Sequence, residues 1–157
     1  MKKLVLKIIG VITVCLVIGA ISGAVTADAI PGWYTTLNKP SFNPPNWLFA
    51  PVWTTLYVLM GISAGLVWNR GIQNKEIRSA LSIFGMHLFF NFLWSMLFFG
   101  LKSPELAMAE IIVLLVSIIW FTVRFYKIRP VYGLLQIPYI LWVSFASVLN
   151  LSIVLLN

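Results

Sequence analysis

Five long apolar runs, near residues 4–27, 47–68, 79–100, 105–125 and 131–155, are set apart by short clusters of charge. Each is close to the roughly 20 residues that a helix needs to cross a bilayer. The hydrocarbon offers no water to backbone amides and carbonyls, so only helices or a closed barrel can satisfy them there. Barrel strands would show about ten residues of alternating apolarity between turns, whereas these runs are unbroken. The sequence therefore predicts an all-α membrane protein, a bundle of five transmembrane helices. With 61% of its 157 residues hydrophobic and 10% charged, the chain has nothing left over for a soluble domain. Residues 1–157 read as a single transmembrane domain whose short connections make neighbouring helices antiparallel.

Orientation follows from the basic residues. Lys2, Lys3 and Lys7 precede the first run, Arg70, Lys75 and Arg78 flank the second loop, and Arg124, Lys127 and Arg129 flank the fourth, all on one side. Only Lys39 and Lys102 fall on the other. The positive-inside rule then puts the N-terminus in the cytoplasm, with the first loop and the C-terminus on the opposite side. The net charge of +7 is mostly this topology signal. Because the charges are spread over three membrane edges, no nucleic acid partner is expected; the lipid bilayer is. Met1–Lys7 and Ala27-Asp28-Ala29 resemble a secretory leader and its cleavage site, but the run between them exceeds the about 7–15 residues of a leader core, so retention is expected.

Between the first two runs lies Trp33–Gly61, WYTTLNKPSFNPPNWLFAPVWTTLYVLMG. Pro40, Pro44, Pro45 and Pro51 fix φ and disfavour α geometry at the residue before each, so 39–45 should be extended and stiff. Trp33, Tyr34, Phe42, Trp47, Phe49, Trp53 and Tyr57 carry flat apolar faces with polar tips, which suit a membrane interface and equally the grip of a planar ligand. The segment reads as a structured, Pro- and Trp-rich lid over an aromatic cavity.

Polar groups inside the runs narrow the site further, since each must be satisfied within the bundle or face a cavity. On the third run His87, Asn91, Trp94, Ser95 and Phe98 recur at helical spacing, as do Tyr139, Trp142, Ala146 and Asn150 on the fifth. Trp53, Tyr57 and Met60 do the same on the second. Three such stripes can line one pocket beneath the first loop. Glu110 reads as a carboxylate near a helix N-terminus, favoured there by the helix dipole and nearby headgroups. His87 is alone and Cys15 is the only cysteine, so neither a metal site nor an intrachain disulfide is expected. Two GxxxG patterns, Gly19–Gly23 and Gly61–Gly65, allow close helix approach; packing within the chain is their expected use, and a homodimer the other.

These residues together resemble a known family. W-Y-x-x-L-x-K-P-x-F-x-P-P-x-W at 33–47 and P-V-W-x-x-L-Y-x-x-M-G at 51–61 are similar to the tryptophan-rich sensory protein/translocator protein family, also called the peripheral benzodiazepine receptor family. Asn91-x-x-Trp94-Ser95, Phe98-Phe99-Gly100, Pro104, Pro138-Tyr139-x-x-Trp142 and Leu149-Asn150 agree in order and spacing. The resemblance implies a five-helix bundle with a pocket for porphyrins such as protoporphyrin IX and haem, bound as ligands rather than as a required cofactor, and in some members for synthetic isoquinoline carboxamides or cholesterol. Carried over by position, Tyr34, Trp53, Asn91, Trp142 and Ala146 would line it and Pro44 and Pro45 would shape its lid. Trp33, Tyr57, His87, Trp94 and Asn150 join the candidate site from the stripes and the loop.

Two departures stand out. The family pattern usually has Gln four residues before the Asn, where this chain has His87. The C-terminal cholesterol motif of animal members needs a Tyr and a basic residue that Leu151–Asn157 lacks, so cholesterol is not expected as a specific partner. Three functions follow as expectations: a porphyrin-binding membrane receptor or sensor that regulates tetrapyrrole handling, an enzyme that degrades porphyrin in light and oxygen with Trp53 and Trp142 as redox partners, and a porphyrin or sterol transporter. No acid–base pair or nucleophile for ordinary hydrolysis is in evidence.

Overall fold

The computed structural model describes residues 2–157. It is helical throughout, with helices α1 (Lys2–Ala29), α2 (Phe49–Trp68), α3 (Lys75–Ser95), α4 (Pro104–Ile128), α5 (Pro130–Leu134) and α6 (Ile137–Leu156). Wide π-helical turns prolong α1 through Ile30–Tyr34 and α3 through Met96–Gly100, and a tight 3₁₀ turn at Asn46–Leu48 leads into α2. Grouped by continuity, they make five spans long and apolar enough to cross a membrane: Lys2–Tyr34, Asn46–Trp68, Lys75–Gly100, Pro104–Ile128 and Pro130–Leu156. The expected five-helix membrane bundle is thus the observed one.

Its helices run past the apolar runs. α3 begins at Lys75 rather than near 79 because the Asn74 side chain accepts from the Glu76 N–H at 2.8 Å, a cap that starts the helix among charged residues. Ser103 and Pro104 open α4 in the same manner, with Ser103 Oγ 3.4 Å from the Leu106 N–H. The fifth run is not one helix. Pro138 lacks an N–H and its ring excludes the carbonyl four residues earlier, Leu134, where α5 ends. Leu135 and Gln136 form a turn there before α6 resumes.

The first loop also differs from the expected extended strap. Trp33 and Tyr34 belong to the helical extension of α1, and a turn at Ser41–Phe42 bends the rest, closed by Asn43 N–H donating to the Pro40 carbonyl at 3.0 Å. Lys39 Nζ donates to the carbonyls of Tyr34 (2.7 Å) and Leu37 (3.0 Å), and Tyr34 Oη donates to Asn43 Oδ1 at 2.8 Å. Asn38 and Asn157 clamp the loop to the end of α6: Asn38 N–H donates to Asn157 Oδ1 at 2.9 Å, and Asn157 Nδ2 donates back to the Asn38 carbonyl at 3.0 Å.

α1 packs on α2 through glycine. A Cβ added at Gly61 would sit 2.6 Å from Ile12 Cα, and one at Gly65 would sit 2.6 Å from Ile8 Cα, so the second GxxxG is a seat for the α1 backbone. Gly19 is covered by the Tyr57 ring, but Gly23 faces open space. Toward the basic end the core closes around rings: Phe84 to Phe121 at 5.4 Å, Phe121 to Phe125 at 5.3 Å and His87 to Phe121 at 4.5 Å between centroids. Glu110 is not near solvent, as its distance from the α4 N-terminus suggested. It is 8% exposed and neither carboxyl oxygen has a partner, because residue 110 falls on the α4 face that carries Ala107, Ile111 and Leu114 into the bundle.

Candidate ligand-binding site

The loop end of the bundle encloses a cavity of about 450 Å³, within the range of ligand pockets of roughly 300–1,000 Å³. α1 supplies Leu16, Gly19, Ala20, Ser22, Gly23, Thr26 and Ala27, recurring every three or four residues along one face. From α2 come Phe49, Ala50, Trp53, Thr54 and Tyr57. The wide turn after α3 turns Phe98 and Phe99 inward beside Trp94, and α6 adds Trp142, Ala146, Leu149, Asn150 and Ile153. The lining is mostly apolar and strongly aromatic. Of its exposed members, Ala20, Gly23, Ala27, Ala50 and Thr54 lie on α1 and α2, where side chains too small to close the seam leave it open toward the surrounding lipid, and Asn46 lies on the turn that leads into α2.

The rings form a connected wall. Trp53 lies 5.7 Å from Tyr57 and 6.2 Å from Tyr139, Trp94 stacks on Phe98 at 5.1 Å and 22°, and Phe49 meets Trp142 edge-on at 6.1 Å. Such offset and edge contacts hold flat faces at fixed angles. Trp142 also lines a shallow groove of about 600 Å³ on the outer side of α2 and α6, with Trp47, Pro51 and Pro138, so one indole borders both spaces. Asn150 ties three helices: its Oδ1 accepts from Trp94 Nε1 at 3.3 Å and its Nδ2 donates to the Pro104 carbonyl at 2.8 Å.

Of the residues singled out in the sequence, Tyr34, Trp53, Tyr57, Trp94, Trp142, Ala146 and Asn150 meet on this cavity. Trp33 does not; it stands behind the wall against Phe98 at 5.6 Å. Pro44 is buried and Pro45 exposed within the loop, and neither reaches the lining. His87 and Asn91 are off the wall as well, 0% and 3% exposed. Asn91 Oδ1 accepts from Tyr57 Oη at 2.5 Å, and its Nδ2 donates to Tyr139 Oη at 2.8 Å. His87 bonds the Phe84 carbonyl through Nδ1 and Tyr139 Oη through Nε2, both at 3.0 Å. Their polar atoms are engaged inside the core, and they touch the cavity wall only through Tyr57 and through Tyr139, which packs on Trp53.

The α1 wall was the part that sequence reasoning passed over. Its signal was present in the small residues Gly19, Ala20, Gly23 and Ala27 at helical spacing, one face of a helix with no bulk to pack. No group of three or more His, Cys, Asp or Glu able to hold a metal occurs among the described residues.

Five membrane spans around an aromatic cavity, capped by a clamped loop, define a multi-pass helical membrane protein. Residues 11–156 match the TspO/MBR family, and the chain belongs to it. It is 42% identical over 153 residues to the tryptophan-rich protein TspO of Archaeoglobus fulgidus, covering 98% of each chain, and 38% identical over 157 residues to that of Chlorobaculum tepidum, covering 100% of this chain and 99% of the relative. Similarity to the human translocator protein is 34% over 120 residues, 75% of this chain and 70% of the relative.

Proposed function

We propose that the protein is a membrane receptor that takes a planar tetrapyrrole such as protoporphyrin IX into the cavity beneath the first loop and regulates tetrapyrrole handling. One observation carries the reading: Trp53, Tyr57, Trp94, Trp142 and Phe98 line a single, largely apolar space of about 450 Å³. Flat faces at several angles suit an extended π-system, and few polar groups compete for it. The gap between α1 and α2 gives an apolar ligand a route from the lipid. Nine basic residues at the end away from the loop support a cytoplasmic N-terminus, with the loop and C-terminus on the other side.

Titrating the reconstituted protein with protoporphyrin IX should quench tryptophan emission saturably, and Ala146→Trp, which fills the cavity, should abolish the quenching. Quenching that never saturates, or that persists in Ala146→Trp, would overturn the reading. A reporter fused after Asn157 should be active only outside the cytoplasm. The receptor and the degrading enzyme separate under illumination in air: a receptor leaves bound porphyrin bleaching no faster than free porphyrin, whereas faster loss that slows in Trp142→Phe at unchanged affinity establishes the enzyme.

A further inference from the structure

At the basic end of the bundle the charges are not alike. Nine lysines and arginines collect there with Glu76 as the single acidic residue beside them, while Asp28, Glu105 and Glu110 lie toward the loop end. The positive-inside rule asks only that such residues be present, not that any be held in place. Among the described residues only two of the nine, Lys7 and Arg70, have their charged groups fixed by hydrogen bonds and rings.

Both converge on the end of α2. Ile8 packs against Gly65, which brings its neighbour Lys7 to the last turn of that helix, where Nζ reaches Asn69 Oδ1 at 3.5 Å and stands 5.8 Å from the Trp68 ring centre. One residue further on, the Arg70 guanidinium lies 5.7 Å from the Tyr132 ring centre and donates from Nε to Tyr132 Oη at 3.2 Å. Tyr132 is itself buried, and its carbonyl takes the Ser63 hydroxyl at 2.7 Å, so α5 is a firm seat for the arginine. Cation and ring attract through the ring quadrupole, and two long side chains are thereby ordered before any anion arrives.

The donors left over define the ligand. Nε is the guanidinium nitrogen already engaged, and the two Nη atoms form a planar fork that matches two oxygens of one phosphate. Lys7 adds a point charge with donors to spare. Trp68 closes a membrane span in the position of an interfacial aromatic, which sets both cations at the depth of lipid phosphates. Leu6 and Ile9, flanking Lys7 on α1, are exposed and offer an apolar bed for acyl chains. A zwitterionic headgroup answers its phosphate with its own ammonium; an anionic one does not.

We infer that Lys7 and Arg70, ordered on Trp68 and Tyr132, form a headgroup site for an anionic phospholipid at the basic end of α2. The phosphodiester accepts from the Arg70 fork and from Lys7 Nζ, and the acyl chains lie along Leu6 and Ile9. The site is separate from the cavity and does not depend on the tetrapyrrole reading.

The test places the full chain in nanodiscs of phosphatidylcholine with a minor fraction of phosphatidylglycerol and counts the lipids retained on release into native mass spectrometry. Wild type should keep phosphatidylglycerol well above its share of the bilayer. Lys7→Gln and Arg70→Gln should each cut that enrichment about fivefold, the effect of one basic residue at an anionic surface. Arg78→Gln and Lys127→Gln remove the same charge from exposed side chains and should change it by less than about twofold. Phosphatidylglycerol should also raise the thermal midpoint of wild type but not of Lys7→Gln. Retention at the bulk ratio, or equal losses in all four variants, overturns the inference. So does a midpoint raised equally by glycerol phosphate in pure phosphatidylcholine discs, which would make this a free-phosphate site, or one raised by a polyglutamate peptide and not by the lipid, which would make it a surface for an acidic protein. If Arg70→Gln does not fold, Lys7→Gln against Lys127→Gln decides.

Discussion

Near their basic ends α1 and α2 meet backbone to backbone; nearer the loop the same two helices part around a cavity. The sequence pattern is nearly the same in both places, glycines four residues apart, but their partners differ. Gly61 and Gly65 receive Ile12 and Ile8 directly, whereas Gly19 is covered by the Tyr57 ring and Gly23 by nothing. A glycine pair is therefore a seat only where the opposing helix presents backbone. Where it presents an aromatic ring, the ring props the helices apart and leaves a cavity beside it.

The sharpest break in this comparison is Gly61→Val against Gly23→Val. The first forces side-chain atoms into Ile12 and should cost about 3 kcal/mol, read as a large fall in the thermal midpoint in detergent or outright failure to fold. Gly23→Val meets open space and should leave the midpoint within about 0.5 kcal/mol of wild type. Equal losses would show that the two glycine pairs pack alike.

Glu110 asks whether a buried polar group is there for a partner. Its oxygens bond to nothing, so Glu110→Leu should raise stability by about 2 kcal/mol, since an apolar side chain removes an unsatisfied carboxyl. A drop in chemical or thermal stability would mean that the carboxyl has a partner in the membrane. Next in size is the aromatic wall. Trp53→Ala and Trp142→Ala should each weaken protoporphyrin binding several-fold, about 1 kcal/mol, while Trp68→Ala at the basic end of α2 should not change it. Binding unchanged in the first two would reduce them to packing residues. The smallest effect belongs to the loop clamp: Asn157→Ala removes exposed hydrogen bonds to Asn38, costing about 0.5 kcal/mol, and should speed proteolysis of residues 35–45 without moving the thermal midpoint measurably.

Much of the fold was legible because the bilayer is a severe solvent. Apolar runs of helix length, the placement of lysine and arginine and the proline punctuation are local properties, and five spans follow from them. The cavity's aromatics were legible too, as Trp53, Tyr57, Trp94 and Trp142 recur at helical spacing. His87 and Asn91 shared that spacing and yet turned into the core, because periodicity gives a face only to within about a quarter turn, and the neighbouring helices decide which groups on it meet the cavity.

By itself the sequence determined the class, the number of spans and the end at which the rings collect, since each depends on the solvent around a residue or its nearest neighbours along the chain. Tertiary structure alone decided the isolation of Glu110, the seat of Ile12 and Ile8 on Gly61 and Gly65, and the open seam at Gly23. Those depend on what a different helix places opposite each residue, and hydrogen bonds and close packing act over distances that spacing along one helix does not encode.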